Sequence, residues 1–213
     1  MGEVVLIYGK SGSGKSRSLK NFAEDEIFLI NVEGKQLPFR KKFKYTMQTD
    51  DWNKILDQIA KMPCKTAVID DAGYIMTHIF MSQHRAKKGN ASFEMYDDIA
   101  DAMYMLIKGI KEWDRIAPDK IVYIMLHEDV DDFGNVKFRT IGKLIDSKVC
   151  LEGMATICIR CMSDKGKHFF RVQTDGNDIT KTPEGLFDEP EMENDLKSVD
   201  SAIRKYWGLE VET

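Results

Sequence analysis

Apolar runs alternate with amphipathic stretches through the first 126 residues of the chain. Short runs that are apolar almost throughout predict strands buried on both faces, as in a parallel sheet. These runs are Val4–Tyr8, Ile27–Val32, Thr66–Ile69 and Ile121–Leu126. The segments between them predict helices over Lys15–Phe22 and Asp50–Lys61. This alternation of strand and helix is typical of an α/β fold.

The strongest periodic signal lies in the middle of the chain. Apolar and aromatic residues recur there at steps of three and four, at Tyr96, Ile99, Met103, Leu106, Ile110 and Trp113. This spacing predicts one long amphipathic helix, with Asn90 or Ser92 as its N-cap and Pro118 closing the segment. The stripe could bind a cofactor or a partner, but it is more typical of a face that packs on the core.

Beyond residue 126 the pattern becomes one of β-hairpins. Turn-forming residues at 132–135 and 163–166 each separate two strand-like segments, and a last amphipathic helix is predicted over Asn194–Trp207. The predicted fold is α/β, a mostly parallel central sheet flanked by helices with C-terminal antiparallel β-hairpin additions. Because no linker divides the chain, we expect a single domain over 1–213, of which 185–213 forms an acidic C-terminal helical tail.

Composition and charge exclude several classes of protein. A chain of 213 residues with 43% hydrophobic residues is not disordered, and its net charge of −4 does not by itself indicate nucleic acid. No apolar run approaches the roughly 20 residues that cross a bilayer, and the N-terminus lacks the features of a secretory signal. We therefore expect no membrane contact and a cytoplasmic location.

Two of the four cysteines, Cys158 and Cys161, have the spacing of a zinc-binding pair. A structural zinc site requires a second pair of ligands, and the sequence has none at a similar spacing. Both cysteines lie in a segment that alternates like a strand, so we expect free thiols that point to opposite faces.

Residues 9–16 form the clearest motif in the chain. They fit the P-loop pattern G-x-x-x-x-G-K-[ST], between an apolar strand and a helix-forming segment. Glycines let successive backbone N–H groups turn towards an anion, and we expect Lys15 to reach the β- and γ-phosphates and Ser16 to coordinate Mg²⁺. The predicted ligands are ATP and Mg²⁺. The predicted nucleotide-binding residues are Gly9, Lys10, Ser11, Gly12, Ser13, Gly14, Lys15, Ser16 and Arg17.

An acidic partner for the P-loop follows the third apolar run. Asp70 ends that run as a Walker B carboxylate does, and we predict that it acts with Ser16 at the Mg²⁺ ion. The alternative is a pair of solvated acids, Asp70 and Asp71, that cap the next helix.

Hydrolysis also requires a group that orients or deprotonates water. Asp71 follows the Walker B acid directly, and Glu33 follows the second strand, where RecA-like ATPases place a catalytic glutamate. We prefer Glu33, although either residue could be a surface charge. His127 ends the fourth strand, next to the P-loop strand, and is a candidate γ-phosphate sensor or a hydrogen-bonding residue at the rim. Together with Lys15, these are the candidate catalytic residues.

Several segments together resemble small phage and prophage RecA-like ATP-binding proteins, including the Sak-type single-strand annealing proteins. The resemblance runs through nearly the whole chain and is carried by Leu6–Ser16, Ile30–Phe39, Val68–Asp71, Thr140–Asp146, Leu151–Gly153, Thr174–Asn177 and Lys181–Pro183. It implies a RecA-like P-loop NTPase core that binds ATP and Mg²⁺. It also implies a role in phage DNA recombination, single-strand annealing or replication.

Two basic segments, 35–44 and 84–88, are candidate contacts for single-stranded DNA. Bases could stack on Phe39 or Phe43, which alternatively pack under a loop. The candidate phosphate contacts are Arg40, Lys41, Lys42, Arg85, Lys87 and Lys88.

RecA-like ATPases commonly complete their site with a cation from a neighbouring subunit, which stabilises charge as the γ-phosphate leaves. We therefore expect a homo-oligomer on single-stranded DNA, with Lys143 as the candidate cation and Arg139 and Lys148 near it. Simple surface charge is the alternative for all three. A single-strand-binding protein is a possible further partner.

Three functions are compatible with these motifs. The first is an ATPase that converts ATP to ADP and phosphate in DNA recombination or annealing. The second is a nucleotide-switched interaction module that hydrolyses little ATP. The third is a small-molecule (nucleotide) kinase. Such kinases usually carry an Arg-rich lid, and the sequence shows none after Asp70, which argues against this function.

Overall fold

The computed structural model describes residues 2–89 and 91–209, apart from the side chains of residues 143 and 144. Within these residues nine strands form one sheet. They are β1 Glu3–Gly9, β2 Ile27–Asn31, β3 Tyr45–Met47, β4 Thr66–Asp70, β5 Ile121–Val130, β6 Val136–Phe138, β7 Ile157–Asp164, β8 Lys167–Arg171 and β9 Glu191–Glu193.

The sheet has the order β3-β2-β4-β5-β1-β7-β8-β9, and β6 pairs with β5 outside this path. The six strands from β3 to β7 are parallel to one another. The β7–β8, β8–β9 and β5–β6 pairs are antiparallel. The prediction of a mostly parallel α/β sheet with antiparallel hairpins added towards the C-terminus is therefore confirmed.

Helices cover both faces of the sheet. Side chains from the three helices between β3 and β5 form one core cluster, and side chains from the 3₁₀ helix after β1 and from the last helix form the other. None of the helices among the described residues is both long enough and apolar enough to cross a membrane. The helices are the 3₁₀ helix Ser16–Asn21, α1 Trp52–Lys61, α2 Gly73–Gln83, α3 Ala91–Glu112, α4 Lys143–Asp146, α5 Leu151–Met154 and α6 Leu196–Tyr206.

The long central helix α3 packs its apolar stripe on the core, as predicted. Ile99, Met103, Leu106 and Ile110 are fully buried in the first cluster. The cap prediction for Ser92 is wrong, because Ser92 lies inside the helix and its hydroxyl donates to the carbonyl of Gly89. The other candidate cap, residue 90, lies outside the described residues.

The helix predicted after the P-loop is present at Ser16–Asn21 and has the 3₁₀ form. The N–H of Ser18 is shared between the carbonyls of Gly14 and Lys15, at 3.0 and 3.2 Å. The Ser18 hydroxyl also donates to the carbonyl of Lys15 at 2.6 Å. Serine competes in this way with regular helical hydrogen bonds, which tightens the turn.

Cys158 and Cys161 lie on β7 and point into different core clusters, as the strand prediction required. Burial raises the pKa of Cys158 to about 12 and that of Cys161 to about 11. No group of three or more metal-ligating side chains of the His, Cys, Asp and Glu type occurs in the part of the chain that the structure describes.

The acidic C-terminal segment contributes to the core. Leu196, Val199 and Ile203 of α6 are fully buried in the second cluster. Asp200 is buried beside them, and one of its carboxylate oxygens accepts hydrogen bonds from the hydroxyls of Thr66 and Tyr123 at 3.0 Å each. The other oxygen accepts from Arg204 at 2.7 Å. This network attaches α6 to the start of β4 and β5.

We expect Asp200→Ala to lower the free energy of unfolding by about 3 kcal/mol, because it removes the acceptor of two buried hydroxyls and the charged partner of a half-buried guanidinium. Ser201→Ala is the matched control, since Ser201 is exposed on the same helix. Urea unfolding of the two variants measures the difference. Equal midpoints for both variants would show that the network contributes nothing to stability.

Candidate functional site

The P-loop leaves the carboxyl end of β1 at Gly9. It then turns sharply, with a hydrogen bond from the N–H of Ser13 to the carbonyl of Lys10 and positive φ angles of 78° at Gly12 and 109° at Gly14. Lys15 is buried inside the loop, where its ammonium donates to the carbonyls of Gly9 at 2.8 Å and Lys10 at 3.1 Å. Burial lowers the pKa of Lys15.

Residues from β7, β8 and the segment before α6 support the back of this loop. A Cβ added at Gly9 would lie 2.2 Å from the carbonyl oxygen of Cys161, and one added at Gly14 would lie 2.8 Å from Nδ1 of His168. Nδ1 of His168 donates to the carbonyl of Ser13 at 2.7 Å. The Asn194 side chain contacts both Arg17 and Cys161. The loop therefore requires glycine at both positions and is held from behind.

Asp70 is the last residue of β4 and is 6% exposed. Burial raises the pKa of Asp70, and a hydrogen bond from Ser16 opposes this effect. Its Oδ1 atom has no hydrogen-bond partner. A buried carboxylate oxygen without a partner, beside a serine hydroxyl, fits Mg²⁺, which prefers oxygen ligands and takes few of them from the protein when it binds with phosphates.

His127 lies opposite Gly9 in the register between β5 and β1, so the prediction that it adjoins the P-loop strand is confirmed. Its Nε2 lies 3.3 Å from Oδ1 of Asp71, and its Nδ1 lies 3.4 Å from Nζ of Lys15. An ammonium group cannot accept a hydrogen bond. These contacts therefore suit the His127 tautomer in which Nδ1 accepts a hydrogen bond from Lys15 and Nε2 donates one to Asp71. His127 thus connects the P-loop lysine to the residue after the Walker B acid.

Asp71 has an unusual backbone conformation and two cationic or polar partners. Its φ angle is 58°, in the left-handed region that aspartate tolerates better than most residues. Nζ of Lys35 lies 2.7 Å from its Oδ2. Burial alone would raise the pKa of Asp71, but the hydrogen bonds from His127 and Lys35 outweigh it and lower the pKa to about 2. Asp71 is therefore ionised and held in place.

The phosphate loop forms the floor of a cleft of about 350 Å³. Beside the loop residues, the cleft is lined by Lys35, Gln36, Pro38, Asp70, Asp71, His127 and His168. The structure thus brings Asp70, Asp71 and His127 to the predicted loop. Of the predicted nucleotide-binding residues, those that line the cleft are Ser11, Gly12, Gly14, Lys15, Ser16 and Arg17, whereas Gly9, Lys10 and Ser13 do not line it.

Glu33 differs from the expectation, because its carboxylate does not line this cleft. Its Oε1 lies 2.8 Å from Nε2 of His78 on α2, and Nδ1 of His78 lies 3.0 Å from Asp50. His78 thus pairs with both Glu33 and Asp50, and Glu33 is not among the residues that line the nucleotide cleft. Of the two candidate carboxylates, the structure places Asp71 at the site.

The comparison with known families agrees with this geometry. A family model of the AAA domain matches residues 1–182. The chain belongs to the AAA domain family. It is therefore a P-loop nucleotide-binding domain of the ATPase type, and the fold predicted from the sequence is the fold of that class. No curated protein sequence matches the chain.

The side chains of the basic segment 35–44 of this AAA domain differ in exposure and in their contacts. Arg40 and Lys42 are exposed, whereas the ammonium of Lys41 donates to the carbonyls of Lys20 and Phe22. Phe43 is 5% exposed and packs edge-to-face on Phe39 at 6.4 Å. A base cannot stack on a ring buried in this way, so the suggested stacking role of Phe43 is wrong and packing under the loop is correct.

The remaining predicted cations lie at several places around the domain. Arg85 and Lys88 are exposed, and Lys87 pairs with Asp98 at 2.8 Å. The side chain of Lys143 lies outside the described residues. Of its two neighbours in the prediction, Arg139 is exposed and Lys148 pairs with Asp97.

Sequence reasoning missed Lys35, His168 and Asn194 as site residues. Lys35 was part of a basic run and was assigned to DNA. His168 and Asn194 belong to no motif. The one sequence signal near them is the predicted hairpin after the fourth strand, whose second strand is β8.

Proposed function

We propose that this AAA domain is a Mg²⁺-dependent ATPase that binds single-stranded DNA and acts in DNA recombination, annealing or replication. The observation that carries the ATPase part is the ionised Asp71, held by His127 directly beside the P-loop lysine and the Mg²⁺-type pair of Ser16 and Asp70. The resemblance to phage annealing ATPases and the exposed cations Arg40 and Lys42 support the DNA part.

In this proposal the chain's own groups prepare ATP for attack by water. Backbone N–H groups of the P-loop and the ammonium of Lys15 bind the β- and γ-phosphates. Ser16 and Asp70 would hold Mg²⁺, which neutralises negative charge on the phosphate oxygens when it is bound. Asp71 accepts a hydrogen bond from the attacking water, whose oxygen bonds to the γ-phosphorus as the bond to the β–γ bridging oxygen breaks. One proton of that water stays on the released phosphate, and the other goes to solvent. The products are ADP and inorganic phosphate.

A groove of about 1340 Å³ along the loop after β2 is the proposed path of the DNA strand. Arg40, Lys41 and Lys42 contribute to its lining. Gln36 and Pro38 line both this groove and the nucleotide cleft. A single loop therefore borders both sites, which supports an effect of ATP on DNA affinity and of DNA on ATP affinity, since such coupling is reciprocal.

The role of the positive charge along this groove is tested by replacing Arg40 and Lys42 together with Ala. Lys41 stays in place because its ammonium holds the loop to the end of the 3₁₀ helix. We expect weaker binding to a labelled oligonucleotide, and a log–log salt slope that is shallower by about 0.7 for each phosphate contact removed. Fluorescence anisotropy across salt, with ATP present, measures both quantities.

The matched control replaces Lys54 and Lys61, two exposed lysines on α1, with Ala. It removes the same charge from another surface and should leave the salt slope unchanged. An equal change of slope in both double variants would mean that general charge and not this groove binds the strand. No binding by the wild type at low salt would contradict the DNA part of the proposal and leave the ATPase part standing.

A further inference from the structure

Lys35 belongs to the basic segment 35–44 by sequence, but its side chain lies in the nucleotide cleft. Its Nζ is 2.7 Å from Oδ2 of Asp71 and 4.8 Å from the centre of the Tyr74 ring. Arg40 and Lys42 of the same segment are exposed on the groove side of the loop. Lys35 is thus a second lysine at the cleft, opposite the P-loop lysine.

The backbone before Lys35 explains this position. Asn31 ends β2 next to Asp70 of β4 in the sheet register, so the chain leaves β2 beside the Walker B acid. The N–H of Gly34 donates to the carbonyl of Asn31, and the Asn31 side chain donates to the carbonyl of Lys35 at 2.6 Å. Gly34 has a φ angle of 66°, and a Cβ there would lie 2.4 Å from the Gln48 side chain. A tight turn therefore fixes the backbone of Lys35 at the cleft.

The side chain of Lys35 is held less firmly than its backbone. It is 55% exposed, and its ammonium touches one oxygen of Asp71 and one aromatic face. Lys15, in contrast, is buried inside the loop and donates to two carbonyls. A flexible, exposed ammonium can change partners when a group of greater negative charge enters the cleft. The terminal phosphate of ATP is such a group.

We propose that Lys35 is a ligand of the γ-phosphate, which it binds by leaving Asp71. The exchange frees Oδ2 of Asp71 to accept a hydrogen bond from water, while His127 continues to hold Oδ1. ADP lacks the γ-phosphate, so in the ADP complex Lys35 stays with Asp71. This inference rests on the proposed ATPase function and adds a residue that distinguishes the triphosphate from the diphosphate.

The test compares the affinities of MgADP and of Mg²⁺ with a non-hydrolysable ATP analogue, measured by isothermal titration calorimetry. In Lys35→Ala we expect affinity for the triphosphate analogue to fall by roughly ten- to one-hundred-fold, as for a lost charge-assisted contact. Affinity for MgADP should stay within about two-fold of the wild type. Lys35→Arg should keep most of the preference for the triphosphate.

Lys54→Ala is the matched control, because Lys54 is 67% exposed and also pairs with an aspartate, Asp51, at 3.4 Å. It should leave both affinities unchanged. Equal losses for the two nucleotides in Lys35→Ala, or no loss for either, would overturn the role of Lys35 while leaving the ATPase proposal intact. A wild type that binds neither nucleotide would overturn both.

Discussion

Asp71→Asn should lower kcat for ATP hydrolysis by about 100-fold or more while MgATP remains bound. The amide cannot accept a proton or hold water as a carboxylate does, but it matches the shape of the side chain. Asparagine also tolerates the left-handed φ angle of 58° at this position, so the backbone can stay as it is. Steady-state phosphate release and nucleotide titration of the same preparation separate turnover from binding.

Glu33→Gln is the comparison that gives this result its meaning. Glu33 pairs with His78 outside the cleft, so we expect kcat of the Glu33→Gln variant to stay within a few-fold of the wild-type value. Both substitutions remove one carboxylate charge near the same end of the sheet. Loss of turnover in Glu33→Gln with normal turnover in Asp71→Asn would contradict the assignment and favour the choice made from the sequence.

Lys15→Ala should reduce affinity for MgATP by 100-fold or more. Its ammonium is the one lysine amine buried within the described part of the P-loop, and the backbone N–H groups of the loop cannot replace its full positive charge at the β- and γ-phosphates. Lys15→Met retains the apolar stem and should lose affinity to the same extent. Thermal unfolding of both variants shows whether the fold is kept. Unchanged affinity in either folded variant would contradict the assignment of the phosphate site.

The elements around the P-loop could be predicted because each depends on residues close together in the chain. Val4–Tyr8 and Ile121–Leu126 are apolar runs, which predict buried strands. The motif between residues 9 and 16 requires a strand before it. His127 could likewise be predicted to lie beside the P-loop strand, where the register puts it opposite Gly9. The prediction that His127 ends its strand is wrong, because β5 continues to Val130.

The choice between Glu33 and Asp71 could not be made in this way. It depends on His78, which lies on another helix and holds Glu33 at 2.8 Å. The place of Lys35 depends likewise on the turn after β2 and on the neighbouring strand β4. The sequence leaves Phe43 open between base stacking and packing under a loop, because an aromatic residue in a basic run looks the same whether it faces solvent or the core. Contacts between distant segments decide all three cases.

The ATPase activity of this domain is tested by phosphate release from MgATP, measured for the wild type and for Lys15→Ala with and without single-stranded DNA. We predict slow turnover by the wild type, faster turnover with DNA, and none by Lys15→Ala. Transfer of phosphate to a nucleotide acceptor in place of water would identify a kinase. A wild type that binds MgATP but releases no phosphate, with or without DNA, would contradict the claim and identify a nucleotide-switched module.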